Sequence, residues 1–101
     1  MNYKTVAIFK LHAGMAEEEI RRCKSEDSLL NTLKKFPGFI AYEVIKINED
    51  STMTIQTWES KAHFTEAIPK GVASRAQVVN NRENIVLSYE GFYGEVVHSS
   101  F

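Results

Sequence analysis

Five side chains in this sequence have the chemistry to act on a small molecule or to bind one. Tyr42 and His63 are the candidate catalytic residues, since a tyrosine hydroxyl can orient or deprotonate a phenol and an imidazole can take up a proton near neutral pH. Trp58, Arg75 and Phe9 are the candidate substrate-binding residues. An aromatic face stacks on a flat ligand, and a guanidinium pairs with a carboxylate or phenolate. Only the fold could bring these residues together.

Each candidate also has an ordinary structural explanation. Trp58 could close the core between a helix and a sheet, and Tyr42 could be a core or interface tyrosine whose hydroxyl has a partner. His63 and Arg75 could lie on solvated helix faces. No two histidines are spaced four apart, and no carboxylates cluster with a histidine, so no metal site is expected.

The elements that would position these residues follow from apolar patterning and turn residues. Three strands are predicted in the first part of the chain, over residues 5–11, 39–47 and 52–58. A helix begins at Ala16, and the polar segment 25–28 kinks it or splits it in two. The turn at Pro37 and Gly38 leads directly into the second strand, and a further helix begins near Ser60.

The C-terminal third has two alternative assignments. Pro69 is predicted to end the helix that begins near Ser60, because proline cannot continue a helix interior. A third helix then starts near Val72, after a joint at Lys70 and Gly71. That helix either extends to Leu87, which the spacing slightly favours, or gives way to a short strand over 85–89. The last strand is predicted over 91–98.

The predicted strands are apolar on both faces. Val6 and Ile8 alternate with Ala7 and Phe9, and the second and last strands show the same property. Two or three helices can cover only one face of a sheet of this size. The other face needs a partner, and a second copy of the chain is the simplest one. We therefore expect a homodimer packed sheet to sheet.

Composition limits the classes of function. The 101 residues fit one domain, and a net charge of −1 without a basic stripe gives no support for binding nucleic acid or an anionic membrane. No secretion signal or membrane-spanning segment is readable. Cys23 is the only cysteine, which excludes an intrachain disulfide and fits a reducing compartment. A cytoplasmic protein is expected.

Several motifs resemble the antibiotic biosynthesis monooxygenase (ABM) superfamily. They are the strand that begins at Val6, the Phe36-Pro37-Gly38-Phe39 turn, the Tyr42-Glu43-Val44 strand, the Thr57-Trp58-Glu59-Ser60-Lys61 segment and the closing Gly94-Glu95-Val96-Val97. The resemblance covers nearly all of residues 1–101 as a single domain. It implies an α+β fold, with a ferredoxin-like antiparallel sheet that carries helices on one face and forms a dimeric α+β barrel. It also implies a pocket between the helices and the sheet.

The functions implied by the resemblance are diverse. Some members oxidise phenols with O2 and use neither metal nor flavin, so we expect a monooxygenase-type enzyme without a cofactor that acts on a small aromatic or apolar compound. The haem-degrading branch is disfavoured, because its Trp and His positions fall at Ala67 and near Gln77 here, and strand 1 has no Asn. The alternatives are a non-catalytic dimer that binds a small ligand or serves in stress, and an interaction protein whose pocket is filled by side chains.

Overall fold

An antiparallel sheet of four strands, in the order β2-β3-β1-β4, organises the part of the chain that the structure describes. The structure is a computed structural model, and it describes residues 2–74 and 85–101. The elements in chain order are β1 (Tyr3–Leu11), α1 (Ala16–Lys24), α2 (Leu29–Leu33), β2 (Phe39–Asn48), β3 (Ser51–Trp58), α3 (Lys61–Ser74) and β4 (Val86–Glu95). The predicted ferredoxin-like α+β fold is confirmed. None of the helices in the described ranges is long and apolar enough to span a bilayer.

The first helical segment is split in two, as the polar run at 25–28 indicates. Ser28 caps α2, because its hydroxyl accepts a hydrogen bond from the Asn31 amide at 3.1 Å and donates one to the Cys23 carbonyl at 2.9 Å. Asn31 then donates its side-chain amide to the Ser25 carbonyl at 2.6 Å. These bonds satisfy the backbone groups at the break and hold α2 against the end of α1.

The turn between β2 and β3 fixes the start of α1. The Ala16 amide donates to the Glu49 carbonyl at 3.0 Å, and the Leu11 amide donates to the Asp50 carbonyl at 2.8 Å. The Asp50 carboxylate accepts from the Gly14 amide at 2.8 Å. The N-terminal end of α1 therefore lies at the turn end of the hairpin. From there the helix contacts β2 and β3.

An aromatic core joins α2 and α3 to the sheet. Its buried members are Tyr3, Leu33, Trp58 and Ala67. Phe39, Phe64 and other half-buried apolar side chains pack around them. This core occupies the Trp58 end of the sheet, opposite the hairpin turn.

Pro69 lies inside α3, so the prediction that it ends the helix was wrong. Proline removes one helical hydrogen bond, but packing on both sides of it holds the helix in place. Ala67 is buried in the core on one side. On the other side, Gly71 lies so close to Leu33 of α2 that an added Cβ would come within 2.7 Å of a Leu33 methyl carbon.

The segment 86–89 is part of β4, so the preference for a helix up to Leu87 was wrong. Pairing with β1 along its whole length outweighs the helical spacing of its apolar residues. The strand begins five residues earlier than predicted and ends at Glu95 rather than His98. The part of the predicted third helix that falls on residues 75–84 lies outside the described residues.

The sheet face turned away from the helices carries two apolar rows. Ile45, Met53 and Ile8 form one row, and Ile55 and Val6 with Phe92 form the other. A register shift between Phe39 and Ala41 places Phe39 on the helix-covered face with Tyr42. The sequence pattern had assigned these two side chains to opposite faces, and the bulge explains the difference.

Gly38→Ala is expected to destabilise the fold more strongly than Gly14→Ala. Both glycines have positive φ, +83° and +76°, where a side chain is strained by about 1–2 kcal/mol. A Cβ on Gly38 would also collide with the His63 ring, whereas a Cβ on Gly14 meets nothing within 4 Å. We expect Gly38→Ala to cost at least about 1 kcal/mol more than Gly14→Ala. Equal urea midpoints for the two variants would contradict the tight packing of His63 on the turn.

Candidate functional site

Strands β1 and β4 form an aromatic trough on the face that the helices cover. Ala7 pairs with Gly91 at its floor, Phe9 pairs with Tyr89 on one side, and Tyr93 lies on the other side. The Phe9 and Tyr89 ring centroids are 5.8 Å apart. Tyr89 is 66% exposed and Tyr93 is 61% exposed. We call these five residues the aromatic trough.

The absence of a side chain at Gly91 makes the floor low. A Cβ there would lie 3.1 Å from the Tyr93 hydroxyl, so this hydroxyl leans over the floor between the two aromatic walls. Ala7 beside it adds only a methyl group. The Tyr93 ring therefore packs over Gly91, and the exposed faces of Tyr89 and Tyr93 are the aromatic surfaces on which a flat ring can stack.

Phe64 links the trough to the core. Its ring lies 5.7 Å from Tyr93 and 5.6 Å from Tyr3 on the centroids, and 6.1 Å from Trp58. Since α3 carries Phe64, the position of this helix sets the width of the trough at the Tyr93 end.

The third strand adds polar groups next to the trough. Thr54 pairs with Ala7 and Thr52 pairs with Phe9, so both threonines point to the same side of the sheet as the trough residues. Thr52 is fully buried, and its hydroxyl has no hydrogen-bond partner among the described residues. On the facing side of α1, Glu19 is also fully buried. The sequence analysis selected neither residue.

Ion pairs on the outer flanks of α1 hold this helix in position. Lys46 of β2 lies 2.8 Å from Glu17 and 2.8 Å from Glu49. A hydrogen bond from Lys46 lowers the pKa of Glu17, and hydrogen bonds to the two glutamates raise the pKa of Lys46. A hydrogen bond from Arg21 likewise lowers the pKa of Glu18 to about 2. These groups lie at the surface, so the pairs contribute little to stability, and of these pairs the one between Lys46 and Glu17 joins α1 to β2.

Tyr42 lies in a different place, at the break between α1 and α2. Its hydroxyl donates to the Asn31 side-chain oxygen at 2.9 Å, and the Lys34 ammonium lies 5.9 Å from the centre of its ring. An open cleft of about 630 Å³ surrounds these groups. Its lining residues are Lys24, Glu26, Asn31, Lys34, Lys35 and Tyr42.

His63 lies in the first turn of α3. Its Nδ1 is 2.7 Å from the Ser60 hydroxyl, which also accepts the His63 backbone N–H at 3.2 Å, and its Nε2 is 3.9 Å from Glu59. The ring packs on Gly38 and borders a cavity of about 90 Å³ beside Pro37. The structure thus places His63 and Tyr42 in separate hydrogen-bonded groups.

The structure also does not bring the three candidate binding residues together. Phe9 lies in the trough. Trp58 is fully buried in the core, where its indole N–H donates to the Gln56 side chain at 2.9 Å and its ring meets Phe39 edge-on at 5.2 Å. Arg75 lies outside the described residues. Within the described ranges, no group of three or more potential metal-binding side chains occurs.

Solved structures with the same architecture identify the fold. A point variant of SnoaB, a cofactor-independent oxygenase from Streptomyces nogalater, aligns with a TM-score of 0.77 over 97% of this chain and 95% of that chain, at 15% identity. A candidate antibiotic biosynthesis monooxygenase from Bacillus cereus aligns with a TM-score of 0.70 over 100% and 96%, at 18% identity. The chain has the fold of the ABM proteins.

A further neighbour is a dimeric ferredoxin-like protein from an uncultured marine organism. It aligns with a TM-score of 0.78 over 99% of this chain and 91% of that chain, at 15% identity. No family model matches the sequence, and no curated protein matches it either. The resemblance identified from the sequence motifs is thus confirmed for the ABM fold. Sequence identities of 15–18% carry no information on the substrate.

Proposed function

We propose that the protein binds a small aromatic or apolar compound in the aromatic trough and oxidises it as a cofactor-independent monooxygenase-type enzyme. The observation that supports this proposal is the pair of exposed tyrosines, Tyr89 and Tyr93, on either side of the Ala7 and Gly91 floor. Large exposed aromatic side chains around a small-residue floor are typical of ligand-binding surfaces. The ABM fold, which a cofactor-independent oxygenase shares, supports the reaction class.

The proposed reaction needs no redox group in the protein. A base removes the hydroxyl proton of a phenol, and the resulting phenolate gives electrons to O2. One oxygen atom enters the ring and the other leaves as water, so a phenol and O2 yield a quinone and water. The protein would bind the ring, exclude water from the reacting carbon and receive the proton.

Oxygen uptake with 1-naphthol tests this proposal. We expect one O2 consumed for each naphthoquinone formed, with little change when a chelator is added. Tyr93→Ala should reduce the rate at low substrate concentration by about 2- to 10-fold, since stacking on one aromatic face contributes about 0.5–1.5 kcal/mol. Phe101→Ala, which alters a fully exposed aromatic that is not one of the five trough residues, is the matched control. Equal effects of the two substitutions would contradict the proposed site.

A second candidate function is binding without turnover. It is favoured by the positions of Tyr42 and His63, which are held in local hydrogen bonds away from the trough. Saturable binding of 1-naphthol without oxygen uptake would select this alternative. The catalytic roles of Tyr42 and His63, and the binding roles of Trp58 and Arg75, stay predictions.

We also propose a homodimer that packs through the outer sheet face. Two rows of apolar side chains cross this face, and Phe92 is 54% exposed there. A face of this kind is self-complementary under two-fold rotation. The dimeric ferredoxin-like neighbour supports a dimer.

The buried thiol of Cys23 supports a reducing compartment, and we propose the cytoplasm.

A further inference from the structure

Four charged side chains surround the apolar rows on the outer sheet face. They are Lys4, Lys10, Glu43 and Glu90, and the described strands place no other charged residue on this face. All four are exposed, and none forms an ion pair with another described residue. We call these four residues the charged rim. An apolar centre inside a charged rim is the usual anatomy of a protein interface.

The signs of the charged rim alternate around the face. Lys4 and Lys10 lie toward the two ends of the inner strand β1. Glu43 lies on the edge strand β2, and Glu90 lies on the opposite edge strand β4. Positive charge therefore marks the two ends of the face, and negative charge marks its two sides.

Strand geometry gives the dimensions of this pattern. Lys4 and Lys10 are separated by about 20 Å along β1, at about 3.4 Å per residue of an antiparallel strand. Glu43 and Glu90 lie on the two outermost strands, so they are separated by about 14 Å across the sheet. The line that joins the lysines and the line that joins the glutamates cross near the centre of the face. A quarter turn therefore brings the positive ends of one face close to the negative sides of another.

Two copies of this face can pack in an aligned or an orthogonal arrangement. In an aligned dimer the two β1 strands lie along nearly the same line, so each lysine of β1 faces a lysine of the partner and like charges repel. In an orthogonal dimer each end of β1 lies over an edge strand of the partner, where the glutamates are. Stacked sheets lie about 10 Å apart, a gap that a lysine and a glutamate side chain can bridge together. The apolar rows meet at the centre in both arrangements, so the charges decide between them.

We propose that two copies pack their outer faces orthogonally, with each lysine of the charged rim paired to a glutamate of the partner subunit. This inference rests on the homodimer proposed above, and it adds the orientation of that dimer and the means by which a copy recognises another copy. A two-fold axis between the sheets repeats the contacts of one copy in the other, so the pairs form two equivalent sets. The pairs lie in solvent at the edge of the interface, where charges determine partner choice and orientation more than affinity.

Charge reversal in complementary pairs tests the proposal on the full chain. Lys4→Glu with Lys10→Glu makes the rim wholly acidic, and Glu43→Lys with Glu90→Lys makes it wholly basic. Each protein alone should have a dissociation constant at least about 10-fold above that of the wild type, because every attractive pair becomes a repulsive one. Neutralising one rim charge removes only weak pairs and leaves the dimer intact at micromolar concentration, so the test reverses the charges.

An equimolar mixture of the acidic and basic variants should form a heterodimer. We expect its dissociation constant to lie within about 3-fold of the wild-type value, because each lysine again faces a glutamate. Labelling one variant with 15N separates the heterodimer from both homodimers by mass, and native mass spectrometry counts all three. The preference for the heterodimer should weaken in 0.5 M salt, which screens exposed charges.

Lys35→Glu with Lys61→Glu is the matched control for net charge. It changes the net charge as much as the acidic rim does, at exposed positions beside α2 and α3, and should leave the wild-type dissociation constant unchanged. A fourfold variant that exchanges every sign of the rim in one chain should dimerise with itself as the wild type does. This fourfold variant also serves as the test if one of the double variants does not fold.

The possible failures are distinguishable. If both double variants dimerise as tightly as the wild type, or if their mixture forms no heterodimer, the charged rim does not orient the dimer and this inference is wrong, while the homodimer stands. A control variant weakened as much as the acidic rim would contradict the inference in the same way. If the wild-type protein is a monomer, the proposed homodimer fails and this inference fails with it.

Discussion

Trp58→Ala should lower the free energy of unfolding by about 3–5 kcal/mol, the range for truncating a buried aromatic side chain. Trp58 is fully buried and meets the rings of Phe39 and Phe64 edge-on. Its loss would open a cavity in the aromatic core that joins α3 to the sheet, and the described residues contain no other such core. Domains of this size have about 5–15 kcal/mol in total, so the substitution removes from about one fifth of the stability to all of it. Urea denaturation followed by circular dichroism measures the change.

Trp58→Phe is the control for this prediction. It keeps an aromatic ring in the core and loses the indole N–H that donates to Gln56 at 2.9 Å. We expect a cost of about 1–2 kcal/mol, since the lost volume is smaller and one hydrogen bond is removed. A Trp58→Ala variant as stable as Trp58→Phe would show that Trp58 is a replaceable surface of a pocket rather than part of the core.

Ile8→Lys should convert the proposed dimer to a monomer at micromolar concentration. Ile8 lies in the middle of the outer sheet face, on the central strand β1 beside Met53. A lysine there would take a charge out of water in the interface, at a cost that pairing with Glu90 opposite it on β4 offsets only in part, and a central, desolvated position carries most of the binding energy. We expect the dissociation constant to rise about 100-fold or more. Light scattering after size-exclusion chromatography gives the mass of both proteins.

Lys10→Gln provides the matched control on the same strand and face. Lys10 is exposed at the end of that face, so its substitution should leave the mass unchanged. The thermal melt of the monomeric Ile8→Lys variant should stay cooperative if its own core is intact. A wild-type protein that is already a monomer would contradict the interface, and the apolar rows would then need another partner.

The sequence predicted most of the fold because its strongest signals are local. The glycine at 38, the polar break at 25–28 and the alternating strands 39–47 and 52–58 all agree with the structure within two residues. The wrong predictions have tertiary causes. Pro69 stays inside α3 because Ala67 on one side of it is buried in the core and Gly71 on the other side lies close to Leu33, and 86–89 becomes a strand through pairing with β1.

The candidate site was predicted less well, because it depends on register. Phe9 was selected, whereas Tyr89 and Tyr93 became part of a site only when β4 was aligned with β1. The burial of Glu19 on the inner face of α1 was also not predicted, since the neighbouring Glu17 and Glu18 form ordinary surface ion pairs. A signal was present all the same. Glu19 is four residues before Cys23, on the apolar stripe of the helix, where a charged residue is out of place.

Nuclear magnetic resonance titration of the 15N-labelled protein with 1-naphthol tests the central claim most directly. The aromatic trough predicts that the largest amide shifts fall on Ala7, Phe9, Gly91 and Tyr93, with smaller shifts around Thr52. Shifts confined to the open cleft around Tyr42 and Lys24 would place the ligand on the other side of α1 and contradict the account. An unchanged spectrum at millimolar 1-naphthol would contradict it as well.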